Sequence, residues 1–189
     1  MLRRTFNNYY TARIALLNSI SKKLRDGVTE AIKKASQATI DASNALADAT
    51  QAKIDADKAN ALISDIASDN KLTPSEKSQL KKEWEVILKE YPITIAQASK
   101  YNVNTDEYTA KYNALKLLVT PLFENMNETS VVDGETLRNT FSDYYASKIS
   151  LLKLISDTAK DTLDDFNGKI NVMETSINQT AEAITILLS

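Results

Sequence analysis

The chain has 189 residues, a formal net charge of -2, 43% hydrophobic residues and only three glycines and three prolines. It contains neither cysteine nor histidine, which excludes disulfides, thiol nucleophiles, Cys-ligated zinc, histidine-dependent triads and imidazole metal sites. The near-neutral charge argues against a polyanion or a membrane surface as partner. No apolar run approaches the roughly eighteen residues that a membrane span needs, and the opening MLRRTFNNYY lacks the apolar stretch of a leader. So few turn formers, in a chain rich in Ala, Leu, Lys, Glu, Asp and Ile, predict a few long helices.

The chain opens on a stretch that it uses twice. Residues 2–21 read LRRTFNNYYTARIALLNSIS and residues 137–156 read LRNTFSDYYASKISLLKLIS, an offset of 135 that places Thr5 on Thr140, with eleven of twenty positions identical. Leu2, Phe6, Tyr10, Ile14, Leu17 and Ile20 recur as Leu137, Phe141, Tyr145, Ile149, Leu152 and Ile155, a spacing that lines one helix face. The second copy reads as the last helix of a bundle. The first reads as the same helix without its bundle, so the chain is expected to be an excerpt from a protein of tandem repeats.

From Leu2 the helical pattern meets no proline until Pro74. Gly27 is expected to kink the helix or loosen it by about 1 kcal/mol relative to alanine. Beyond it, Val28, Ala35, Ala42, Ala49, Ala56 and Ile63 fall every seven residues, and so do Ala31, Ala38, Ala45, Ala52, Ala59 and Ile66. A strict heptad favours left-handed winding around a partner helix, and alanine lets the two backbones approach closely. Each buried methyl contributes only roughly 0.8 kcal/mol, so such a seam needs length. An Ala-rich solvated spacer helix is the alternative. Asp41, Asp48, Asp55 and Lys53 flank the seam and read as a solvated edge or as a register device.

The helix is expected to stop between Ser68 and Pro74. Thr73-Pro74-Ser75-Glu76 supplies an N-cap hydroxyl, a proline at the first helical position and Glu at N3. The stretch from Asp65 to Glu76 also half-matches a calcium loop, but Ala67 and Asn70 stand where an acid or amide and a glycine belong; an ordinary helix-turn-helix explains the same residues. A second helix carries Leu80, Trp84, Ile87, Tyr91, Ile95 and Ala98 on one face, and Pro92 should kink or split it near Tyr91. After a loop over 101–104, Thr105 is the expected cap of a third helix with Tyr108, Tyr112, Leu115, Val119, Leu122 and Met126 in register, bent near Pro121. Asn127 to Val132 reads as the next loop. Asp133 is the expected N-cap of a fourth helix, with Val132 and Leu137 as its hydrophobic staple.

Trp84 and the tyrosines suggest a sugar or peptide groove, or, more simply, an aromatic core. The fourth helix is expected to run to the end with Ile170, Met173, Ile177, Thr180, Ile184 and Leu187 at alternating spacings of three and four. Ile at both core position types leans toward three strands, with two as the alternative. A lone helix with this stripe would leave it wet, which implies a partner chain.

The runs IASDNKLTPSEKSQLKKEWEVILKEYP, TPLFENMNETSVVDGETLRNTFSDYYASKISLLKLI and SINQTAEAITILL together resemble helical repeats of phage and prophage tail proteins of Gram-positive bacteria, in particular streptococcal host-specificity or antireceptor proteins at the tail tip. The resemblance implies a virion tail location and a helical part that spaces, aligns and trimerises receptor-binding parts carried elsewhere. It attaches no catalytic or receptor-contacting residue to these runs.

The expected architecture is therefore an elongated all-α chain in a spectrin-like up-down arrangement, with long helices extending as coiled coil. It divides into a partial repeat over 1–24 (the last helix of a preceding bundle), an Ala-rich connecting helix over 25–61, a helical bundle over 62–160 and a C-terminal coiled-coil helix over 161–189. The expected function is a spacer and oligomerisation module of a tail fibre or tail-tip protein; the alternative is a helical module that itself contacts a host cell surface. Self-association is expected through Phe6, Tyr10, Ile14, Leu17, Ile170, Met173, Ile177, Ile184 and Leu187, with other phage tail proteins as further partners. No catalytic, metal-binding or cofactor-binding set is read. A carboxylate hydrolase would need an acid pair converging in a cleft, whereas Glu83 and Glu85 read as helix-surface groups. The early basic residues Arg3, Arg4, Arg13, Lys22, Lys23 and Arg25 do not amount to a nucleic-acid site, since the second copy mixes its basic residues with Asp143 and Asp157.

Overall fold

The computed structural model describes residues 2–188, with the side chains of Leu2, Ala67 and Leu188 outside the described set. Helix α1 spans Leu2–Asp69, α2 Pro74–Lys100, α3 Asp106–Val119 and α4 Gly134–Leu188; two short strands, β1 (Lys71–Leu72) and β2 (Ser130–Val131), and a 3-10 turn over Thr120–Phe123 complete the order. The all-α reading holds. The chain divides into two compact units, Asp41–Thr158 and the pair Met1–Ile40 with Ala159–Ser189.

The larger unit is a four-helix bundle whose corners follow from local chemistry. The end of α1 is set by Asn70, which turns left-handed at φ 55°, a conformation that Asn tolerates better than other side chains with a Cβ. Its amide donates to the Ile66 carbonyl (3.1 Å), its own carbonyl accepts from Val132 N (3.0 Å), and its side-chain oxygen accepts from Gly134 N (3.1 Å). Antiparallel pairing of Lys71 with Val131 and Leu72 with Ser130 adds a two-strand clasp inside segments that the sequence reads as loops.

At the start of α2 the expected capping box is present. The Thr73 hydroxyl oxygen accepts from Glu76 N (3.4 Å), and the Glu76 carboxylate accepts from Thr73 N (2.7 Å) and from the Thr73 hydroxyl (2.6 Å). Glu76, the twelfth place of the half-matched calcium loop, is thus engaged in capping. The helix runs on through Pro92, which lies on its exposed side; the split expected near Tyr91 does not occur, because a ring that points to solvent removes one hydrogen bond without displacing packed atoms.

Thr105 precedes α3 but makes no side-chain cap. The Asn104 side-chain oxygen takes that place, accepting from Asp106 N (2.7 Å). Near Pro121 the helix tightens into the 3-10 turn. Asp133 caps α4 as expected, accepting from Thr136 N (3.0 Å) and from the Thr136 hydroxyl (2.7 Å). These bonds, the hydroxyl's first, hold its carboxyl below the usual carboxylate range.

The core of this unit joins the inner face of α1 (Ala45, Ala49, Ala52, Ala59, Ile63, Ile66) to Leu80, Trp84 and Ile87 of α2, Tyr108, Tyr112 and Leu115 of α3, and Leu137, Phe141 and Tyr144 of α4. The alanines from 45 onward are therefore bundle core, where the sequence suggested a connecting helix up to residue 61. Their small side chains leave room for the bulk on the facing helices: rings from α2, α3 and α4 fill what α1 does not.

In the smaller unit the two long helices supply the start of α1 and the end of α4. Ser21, Ala31, Ala35, Ala38 and Ala159 are buried. A Cβ added at Gly27 would lie 2.9 Å from the Met173 sulfur, and the Lys34 ammonium stands 5.9 Å from the centroid of the Phe166 ring. Gly27 lies inside the unbroken helix α1, and Gly168 inside the unbroken α4.

Candidate interaction surface

The aromatic residues that suggested a groove form a continuous ladder inside the bundle. Trp84 stacks on Tyr112 (5.7 Å between centroids), Tyr112 on Tyr91 (3.7 Å), Tyr91 meets Tyr108 (5.4 Å), Tyr108 meets Tyr144 (5.6 Å) and Tyr144 meets Tyr145 (5.2 Å). Four of the ladder's hydroxyls find partners within the protein: Tyr108 with Tyr144 at 3.1 Å, Tyr91 to Thr109 at 3.2 Å, and Tyr145 to the Glu83 carboxylate. Burial raises the hydroxyl pKa of Tyr108, Tyr144 and Tyr145, and at Tyr145 the neighbouring Glu83 adds to the rise. Glu83, read from sequence as a surface acid, is thus a partner of the ladder.

Two lysines are buried, which the sequence did not foretell. Lys77 donates to the Asn125 carbonyl (2.7 Å), and Lys148 pairs with Glu90 at 2.5 Å. Beside the second pair lies a cleft of about 190 Å³ lined by Asp48, Gln51, Glu90, Thr94, Gln97 and Lys148. Both of its carboxylates are held: Glu90 by Lys148, and Asp48 by the Gln97 amide at 2.9 Å. Asp41 likewise accepts from Tyr101 (2.5 Å) and from Lys100. Among the described residues no group of three or more carboxylates is placed to hold a metal ion.

The nine residues expected at an oligomer interface all fall in the smaller unit. Ile14, Leu17, Ile170, Met173, Ile177, Ile184 and Leu187 are half-buried, and Phe6 and Tyr10 are exposed. A lone, wet C-terminal stripe is therefore not what forms. The start of α1 in the same chain gives that stripe a partner, one that covers only part of it.

The two copies of the repeated stretch differ sharply in environment. Phe141, Tyr145 and Leu151 are 0%, 2% and 5% exposed, whereas their counterparts Phe6, Tyr10 and Leu16 are 55%, 42% and 61% exposed. Tyr9 and Ile20 are exposed as well, while Tyr144 and Ile155 are buried. An apolar face of this size in water departs from the pattern of single folded chains. Under the same offset, Ile170, Met173, Ile177, Thr180, Ile184 and Leu187 fall on Ala35, Ala38, Ala42, Ala45, Ala49 and Ala52. The smaller unit thus sets the counterpart of the α4 start beside the counterpart of the alanine seam, as the larger unit does with the originals, but among its described residues nothing stands in the place of α2 and α3.

No family model matches the chain, and no solved structure matches it significantly. Over 186 residues, 98% of its length, the chain is 76% identical to a tail fibre protein of Enterococcus phage phiEF24C. It spans 10% of that protein's length. The relative comes from an Enterococcus phage, so the likeness to phage tail proteins stands while its streptococcal detail gains no support. Along nearly all of its length, then, the chain is closely similar to one segment of a phage tail fibre protein, about a tenth of the whole.

Proposed function

We propose that this stretch is a structural spacer and oligomerisation module of a phage tail fibre or tail-tip protein, positioning receptor-binding parts carried elsewhere in a longer chain. The observation that carries the reading is the half-covered stripe of the smaller unit. Ile170, Met173, Ile177, Ile184 and Leu187 have one partner helix, and each retains accessible apolar surface that a neighbouring copy would cover. Ile at both core position types favours three copies. The partners expected for such a part are further copies and other phage tail proteins. Sedimentation equilibrium between micromolar and hundred-micromolar protein tests the reading. A concentration-dependent rise toward a trimer, lost in Ile177→Asp, is the expected result; a monomer throughout this range would overturn it.

A second reading, contact with the host cell surface, is favoured by the exposed Tyr9–Tyr10 pair, whose rings meet edge to face at 5.5 Å. Co-sedimentation of the chain with purified enterococcal cell walls, abolished by Tyr9→Ala with Tyr10→Ala, would establish it in place of the first.

A further inference from the structure

The exposed face of residues 2–21 has a known complement, because the chain displays the partner of its counterpart. In the second copy the buried positions are met by α2 and α3, with Tyr145 donating to Glu83 and Lys148 paired with Glu90. Comparing the copies shows which positions have been held. At the buried positions of 137–156 the first copy differs only at Ser147, which becomes Ala12, and at Lys148, which becomes Arg13; the other seven differences fall where the second copy is exposed. Substitutions have thus accumulated on the side that faces solvent in the bundle. The bundle-facing side has kept its apolar residues, its tyrosines and its cation, although in the first copy Phe6, Tyr9, Tyr10, Arg13, Leu16 and Ile20 on that side are exposed. A face that stayed in water would have no reason to hold Phe6, Tyr9, Tyr10 and Leu16 while changing around them.

We infer that residues 2–21 dock a helical hairpin of the same type as the α2–α3 pair, supplied by an adjoining stretch of the longer tail fibre chain. That hairpin presents an aromatic ridge to Phe6 and Tyr9, one carboxylate to the Tyr10 hydroxyl and a second carboxylate to the Arg13 guanidinium. The chain's own hairpin is already occupied by residues 137–156, so a second copy of this chain could offer its hairpin only by giving up α4. The matched relative has ample length to carry another hairpin, since the chain spans only 10% of it. Phe6 and Tyr10 are thereby assigned to a contact within the longer chain, and contact between copies is left to the stripe from Ile170 to Leu187.

The test extends the chain at its start with a second copy of residues 41–136, joined directly before Leu2, so that the helix register of the second repeat is reproduced. Amide hydrogen exchange over residues 2–21 is expected to slow roughly 100-fold relative to the unextended chain, with the added segment protected too. Unchanged exchange, or an added segment that stays unfolded, overturns the inference, because the identical segment folds against residues 137–156. Arg13→Glu in the extended chain is expected to lose most of the gained protection and to recover it when Glu90 of the added copy alone is changed to Arg. Failure of that recovery also overturns it. Sedimentation of the same samples separates this inference from the proposed function: slowed exchange in a protein that remains monomeric supports the docking and speaks against association between copies, whereas protection that appears only on association does the reverse.

Discussion

Phe141→Ala and Phe6→Ala form a matched pair, the same residue in the same sequence context with opposite surroundings. Phe141 is fully buried. Truncating it removes the transfer free energy of the ring and leaves a cavity that close-packed neighbours only partly fill, a loss of about 3–5 kcal/mol. Urea unfolding of a domain of this size has a slope near 2 kcal/mol per molar, so the midpoint should fall by about 2 M. Phe6 is 55% exposed, and its truncation in dilute protein should change stability by no more than about 0.5 kcal/mol. Trp84 is the chain's one tryptophan and sits in the core of the larger unit, so its fluorescence reports that unit. Circular dichroism at 222 nm reports both units. A Phe6→Ala variant that shifts the ellipticity midpoint as far as Phe141→Ala shifts the fluorescence midpoint would refute the reasoning, as would a Phe141→Ala variant that leaves the fluorescence midpoint in place.

Other perturbations test other parts of the packing. Tyr144 and Tyr145 have hydroxyl pKa values raised above the ordinary value near 10, by burial first; the unfolded chain therefore loses these protons first, and stability is intact below about pH 10 and falls above it by up to about 1.4 kcal/mol per pH unit for each group. Urea midpoints from pH 8.5 to 11, read with tyrosinate absorbance at 295 nm, check this; a midpoint that holds steady while these two tyrosines ionise would contradict it. Glu90→Ala leaves Lys148 buried without its carboxylate and should lose about 2–3 kcal/mol, less than a fully buried pair because Glu90 is partly exposed. Changing both, Glu90→Leu with Lys148→Met, should restore most of that loss in thermal melts, and no restoration would show that the lysine's charge was not the problem. Gly168 has nothing within 4 Å of where a Cβ would stand, so Gly168→Ala should stabilise its helix by about 0.5–1 kcal/mol. A lowered melting temperature would count against an unobstructed helical position there.

Much of the bundle was legible because its helices announce themselves twice, by apolar spacing and by end chemistry. Thr73 with Glu76, and Asp133 with Thr136, mark helix starts through contacts three residues apart, which a linear reading can see. What it missed depends on distant partners. Asn70 ends a helix, accepts from Val132 and Gly134 and anchors a strand of two residues, too short for any periodicity. Lys77 and Lys148 look like ordinary surface lysines until the Asn125 carbonyl and the Glu90 carboxylate come to meet them. The alanine seam was legible as a seam, but alanine alone does not say whether bulk or another alanine stands opposite. As for the candidate surface, the repeat was visible in the sequence, whereas the contrast between its two environments is a property of the folded chain alone.

The clasp at Asn70 also bears on how the larger unit would carry tension. Within that unit Ser156 reaches the Ala42 carbonyl at 3.0 Å, so the chain enters and leaves side by side, at the far end of the bundle from the β1–β2 pairing. A pull on those two points would act as an unzipping force, opening the alanine end one turn at a time, where each turn buries little. The aromatic ladder and then the clasp would yield last.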